Sequence, residues 1–110
     1  MASVRKVLVI GAGIGGLSAA IALRKAGAEV DVLEERAGGG AVYHVGIILQ
    51  ANVLRAMESI GVGQATIAAG YPTRGVRFVR AADETLIAER PSIPLPGFAH
   101  LPDLGIARPA

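Results

Sequence analysis

No cysteine occurs among the 110 residues. Disulfides and thiolate metal sites are therefore excluded, and a reducing, cytoplasmic setting is the expectation. Aromatic residues make up only 4 % of the chain, with two Phe, two Tyr and no Trp. The apolar 52 % is thus largely Val, Ile, Leu and Ala, enough for a core that lacks bulky rings. Charge is equally sparse in pattern. Eleven Lys and Arg against nine Asp and Glu leave a net charge of +2, and the cations are scattered. A basic stripe of the kind that follows a nucleic-acid backbone is missing. The two histidines, His44 and His100, stand alone among scattered acids, so no metal-ligand spacing appears and both read as loop residues. No uninterrupted apolar run reaches the length of a membrane span.

The informative stretch is Val7 to Glu35, "VLVIGAGIGGLSAAIALRKAGAEVDVLEE". A charged start at Arg5 and Lys6 followed by apolar residues to Leu23 has the outline of a secretion signal. Gly11, Gly13, Gly15 and Gly16 break that run at its centre, where a signal helix has to be continuous. The stretch also continues into a second strand-like segment. We therefore read Val4–Ile10 as a buried strand, Ile14–Ala26 as a helix and Glu29–Glu34 as a second strand, "EVDVLE". Leu17, Ala20, Ile21 and Arg24 fall at helical spacing, Arg24 and Lys25 suit the last turn, and Gly27 suits the cap. Strand, helix and strand with short links imply a parallel pair.

Between the first strand and the helix, Gly11, Gly13 and Gly16 spell G-x-G-x-x-G. The first glycine permits a sharp turn, the second lets backbone approach a pyrophosphate, and the third lets helix and strand pack closely. The helix N-terminus then presents free N–H groups to phosphate. Glu34 follows Gly16 by 18 positions, where a carboxylate can accept from a ribose 2′-OH and repel a 2′-phosphate. The alternative is a glycine turn in an ordinary α/β core with Glu34 a solvated strand end. The joint match of strand, glycines, helix, strand and acid favours dinucleotide binding, with flavin and nicotinamide both open at this point. Adjacent Glu34 and Glu35 do not form an acid/base pair, because neighbouring strand residues face opposite ways.

Downstream, Gly38, Gly39 and Gly40 form a loop. In "GIILQANVLRAMESIGVG", Val53, Leu54, Met57 and Ile60 make one helical face, with Asn52 as N-cap and Gly61 as terminator. Gly75–Glu89 alternates around the tip Ala82-Asp83-Glu84 and predicts a hairpin; its Arg74, Arg77 and Arg80 read as a solvated face, with the lining of a cleft as the alternative. Pro91, Pro94, Pro96 and Pro102 mark an irregular stretch, and "LGIARPA" begins a further element.

The wording of Gly11–Gly27, with Ala20 and Leu23, resembles the adenosine-binding fingerprint of flavoproteins more than that of nicotinamide enzymes. Gly46, Ile47, Leu49, Asn52, Leu54 and Arg55 are similar to a second segment of class A flavin monooxygenases, the para-hydroxybenzoate hydroxylase group. The hairpin and the proline stretch follow in that family's order. The resemblance departs at His44 and Val45, where small residues are usual, and at the missing arginine before Gly46, for which Arg36 is the nearest substitute. The family's later "D-G" and "G-D" motifs are absent.

The resemblance implies an α/β chain: a Rossmann-like FAD/NAD(P)-binding βαβ unit, then a helix and a β-hairpin, incomplete. Residues 1–110 are expected to be a partial FAD-binding domain, with the hairpin at 75–90 a candidate start of the substrate domain. FAD would be the cofactor and NAD(P)H the electron donor of a parent monooxygenase acting on a small aromatic or polyprenylated substrate. Gly11, Gly13, Gly15 and Gly16 would cradle the pyrophosphate, Glu34 the ribose, and Arg36 and Arg108 would add cofactor contacts. No catalytic residue and no metal ligand is assigned. The chain alone is expected to be inactive and to self-associate, with neither nucleic acid nor membrane as partner. A nicotinamide-binding module of a dehydrogenase, and a non-catalytic truncated fragment, are the alternatives.

Overall fold

The computed structural model describes residues 4–37 and 46–107. They fall into two compact units, whose described residues are 4–37 and 46–107. The expectations placed on Gly38, Gly39, Gly40, His44, Val45 and Arg108 lie outside the described residues.

In the first unit, β1 (Lys6–Ile10) and β2 (Glu29–Leu33) flank helix α1 (Ile14–Lys25). The strands pair in parallel, Lys6 opposite Glu29 through Ile10 opposite Leu33, as the short strand–helix–strand links require. Gly13 caps α1 at its N-terminus with its backbone alone, and Arg24 and Lys25 occupy the last turn. Ala20 is the buried residue of the helix.

The reading of Val4–Ile10 as a buried strand needs two corrections. The strand begins at Lys6, and it is not buried. Leu8 and Ile10 are 55 % and 75 % exposed. The cause is the number of layers. Val7 and Val9 are half-buried, Val9 on the side where α1 passes over at Gly16. Leu8, Ile10 and the cross-strand Leu33 point the other way, and no described element covers them. Lys6 on that face bonds Asp31 at 3.0 Å and Glu29 at 3.1 Å, and these ion pairs hold its pKa above the ordinary lysine value. Among the described residues β1 pairs on one edge only.

The second unit runs β3 (Gly46–Leu49), α2 (Ala51–Ile60), α3 (Gly63–Ala68), β4 (Tyr71–Thr73), β5 (Gly75–Val79), β6 (Leu86–Pro91) and β7 (Asp103–Ala107). β7 lies between β3 and β4 in a three-stranded antiparallel sheet. Leu54 of α2 and Leu104 of β7 are fully buried, joined by Ala51 and Leu101, with Leu49, Ile67, Leu95 and Phe98 packed around them. Of the predicted α2 face, Leu54 enters the core, while Val53, Met57 and Ile60 are only half-buried and Ala51 takes the second core place; Gly61, at φ +88°, ends the helix as expected.

Its N-terminus corrects the reading of Asn52 as cap. Gln50 occupies the cap position and offers no side-chain bond. The acceptor comes from far along the chain: Asp103 Oδ1 accepts from the Ala51 N–H at 3.1 Å. Strand β3, helix α3 and strand β4 were not anticipated, because each is short and its residues carry no distinctive period. The first four residues of "LGIARPA", Leu104 to Ala107, do lie in a strand, β7, which starts one residue earlier, at Asp103.

β5 and β6 form the expected hairpin. A register shift after Phe78 sets Val79 opposite Leu86, and Glu84 turns the tip at φ +57°. All residues of both strands are exposed, arginines included. Arg80 approaches Asp83 at 3.6 Å. The four-proline stretch leaves β6 at Pro91 and runs on without regular structure to β7.

Candidate functional site: the glycine loop and Glu34

The loop between β1 and α1 brings five of the expected residues together. Gly11 sits at φ +97°, a conformation open to glycine and costly for other residues, so the chain turns sharply there. Its N–H donates to the Leu33 carbonyl at 2.6 Å, which carries the parallel ladder one step beyond the strands. Gly16 is required by packing. A Cβ there would run into the Gly11 carbonyl oxygen and lie 3.4 Å from a Val9 methyl.

Gly13 and Gly15 differ in kind. A Cβ at either would meet nothing within 4 Å, and Gly13 has an ordinary extended backbone at φ −72°. Neither the fold nor the local conformation demands a glycine at these places. Gly13, the cap residue, borders the space in front of the N-terminus of α1. The helix has no acid in its first turn and no side-chain cap, so its leading N–H groups face that space as donors. The arrangement suits a pyrophosphate: backbone donors, a helix dipole and no Cβ in the approach. The residues present therefore fit the adenine-nucleotide half of a dinucleotide cofactor.

Glu34 stands one residue past β2, with its side chain turned back to the loop. Oε2 accepts from the Ala12 N–H at 2.7 Å, and Oε1 accepts from the Arg36 N–H at 3.0 Å. These bonds, Ala12 first and Arg36 second, hold its carboxyl below the ordinary carboxylate pKa, and the positive charge of Arg36 adds to them. Arg36 thus meets the site through its backbone as well as its charge. Sequence reasoning did not single out Ala12. It contributes only its amide, which any non-proline residue supplies, so the side chain carried no signal.

In the second unit a groove of about 690 Å³ lies among Gln50, Asn52, Thr73, Arg90, Ser92 and Asp103. Of the hairpin arginines among the described residues, Arg90 lines it; Arg74, Arg77 and Arg80 do not. His100 reaches Glu58 at 3.4 Å and tilts against Phe98, over which Arg55 also lies at 4.8 Å from the ring centre. This cluster straps the proline stretch to α2 and matches the reading of His100 as a loop residue. Among the described residues no group of acids and histidines could hold a metal, and no helix is long and apolar enough to cross a membrane.

A family model described as an FAD binding domain matches residues 5–100. The chain belongs to that FAD-binding family. The match decides between the two cofactor readings of the glycine turn in favour of flavin. The chain is 37 % identical over 83 residues to phenazine 1,6-dicarboxylic acid hydroxylase of Lysobacter antibioticus, covering 76 % of this chain and 20 % of that protein. It is 36 % identical over 86 residues to 3-hydroxybenzoate 6-hydroxylase of Polaromonas naphthalenivorans, covering 78 % and 21 %. Among solved structures, HpxO of Klebsiella pneumoniae complexed with FAD and uric acid superposes with a TM-score of 0.79, and its R204Q variant complexed with FAD with 0.76. That similarity covers 94 % of this chain and 26 % of HpxO at 29 % identity. The chain spans about a fifth of the length of the curated relatives it matches. The FAD-binding family and the α/β fold with a Rossmann-like βαβ unit, both expected from the sequence, are thereby established.

Proposed function

We propose that this chain is the adenosine-holding segment of an NAD(P)H-dependent FAD monooxygenase that hydroxylates a small aromatic substrate. The observation that carries the reading is the joining of Glu34 to the glycine loop in front of an uncapped helix N-terminus. The family match and the hydroxylase relatives support it. In this reading Gly11 shapes the turn, Gly13 and Gly15 leave the pyrophosphate its approach, and Gly16 sets the helix against the strand. The N–H groups of α1 bind the phosphates, Glu34 accepts from the adenosine ribose, and Arg36 and Arg108 add cofactor contacts. When bound, FAD supplies the redox chemistry, taking electrons from NAD(P)H and letting O₂ deliver one oxygen atom to the substrate.

Unit 1 has one open sheet face and, among its described residues, an unpaired edge on each of its two strands. Such an edge pairs readily with other chains. The 110 residues alone are therefore expected to hold FAD weakly, to self-associate and not to turn over. The same reading sets the protein in the cytoplasm, which the cysteine-free composition fits.

The test is calorimetry of ADP, the fragment that unit 1 would hold, with Gly13→Val as the variant. A branched side chain at Gly13 enters open space, so the fold survives while ADP affinity is lost. Equal ADP affinity in the two proteins refutes the site.

A further inference from the structure

Two successive N–H groups of the glycine loop are held by the end of β2. The Gly11 N–H goes to the Leu33 carbonyl, a backbone bond that continues the ladder. At Ala12 the chain is already turning away, so the next backbone carbonyl is not the acceptor. The Glu34 side chain takes that place at 2.7 Å, across a separation of 22 residues. Its other oxygen bonds the Arg36 N–H, which fixes the carboxylate by its own local turn. Ala12 lies between Gly11, at φ +97°, and Gly13, next to which no atom would hinder even a Cβ. The loop is thus built from residues of high backbone freedom, and ordering it has an entropic cost.

We propose that Glu34 is a positioning residue for the pyrophosphate loop, fixing it through Ala12 independently of any contact with ribose. The ligand half of this inference rests on the dinucleotide reading above; the loop half does not. The two roles are compatible, because an ionised carboxylate offers about four lone-pair sites and the two backbone bonds use two of them. The consequence is specific. Removing the carboxylate weakens binding even of a nucleotide that lacks the 2′-hydroxyl.

The experiment compares the 110-residue chain with Glu34→Ala and Glu34→Gln. The first measurement is hydrogen exchange of the Ala12 amide without nucleotide. Exchange is expected to quicken about five- to tenfold in Glu34→Ala, the range for one lost hydrogen bond. In Glu34→Gln it should lie between the two, because one neutral amide oxygen accepts where the carboxylate offers two charged ones. Unchanged exchange in Glu34→Ala overturns the proposal, as does exchange in a folded Glu34→Gln that is as fast as in Glu34→Ala. The second measurement is calorimetry with ADP and 2′-deoxy-ADP. Glu34→Ala should weaken 2′-deoxy-ADP by about three- to tenfold, with ADP losing more through the ribose hydroxyl. Full 2′-deoxy-ADP affinity in Glu34→Ala overturns the positioning role and leaves Glu34 a ribose ligand only. If the parent chain binds neither nucleotide, the dinucleotide reading fails, and the Ala12 exchange rate still decides whether Glu34 orders the loop.

Discussion

Gly15→Ala and Gly16→Ala are chemically the same change at neighbouring positions in the first turn of one helix, and they should move stability in opposite directions. In a helix, replacing Gly by Ala ordinarily stabilises by about 0.5–1 kcal/mol through reduced backbone freedom of the unfolded chain. At Gly15 nothing opposes this gain, since the added Cβ meets no atom within 4 Å. At Gly16 the added Cβ collides with the Gly11 carbonyl oxygen and also nears the carbonyl carbon at 3.1 Å. Both are backbone atoms, and Gly11 is bonded to Leu33, so neither a rotamer change nor a flexible tip can relieve the contact. Helix α1 has to move off β1, and such overpacking costs about 1–3 kcal/mol. Subtracting the propensity gain leaves Gly16→Ala destabilised by up to about 2 kcal/mol. Urea unfolding followed by far-UV circular dichroism on the 110-residue chain reads both variants. The gap between them isolates the collision. If Gly16→Ala matched Gly15→Ala in midpoint and slope, the close packing of α1 on the loop would be refuted.

Two further outcomes follow from single contacts. Asp103→Ala removes the acceptor at the start of α2, which should cost about 0.5–2 kcal/mol in urea unfolding, with Asp103→Asn recovering most of it; equal stability of all three proteins would show that the cap carries no weight. The Glu34 carboxyl lies below its ordinary pKa of 4.5, so its bonds to Ala12 and Arg36 contribute fully above that value and are lost as pH falls through the lowered one. Ala12 amide protection, corrected for intrinsic exchange and compared with Glu34→Gln, should be flat from neutral pH to about 5 and fall only in the more acidic range, and a fall centred between pH 6 and 7 would contradict the assignment.

The sequence determined the first unit almost outright. Glycines at 11, 13 and 16 can satisfy a turn, an open approach and a close packing in only one local arrangement, and the apolar periods on either side fix strand and helix. The acid at Glu34 was legible for the same reason, because its distance from the loop is set by one helix and one strand. The terminator Gly61 and the hairpin tip at Asp83-Glu84 were legible too, since both are local conformational demands. What the tertiary structure decided depends on partners remote in sequence. The cap of α2 is Asp103, 52 residues away, and no local rule could choose it over Asn52. Strands β3 and β4 exist because β7 lies between them and supplies their hydrogen bonds. Exposure of Leu8 and Ile10 reflects how many layers are present, which composition cannot state. The bond from Ala12 to Glu34 belongs to the same class: a backbone donor has no residue code, so only the folded chain could reveal where it points.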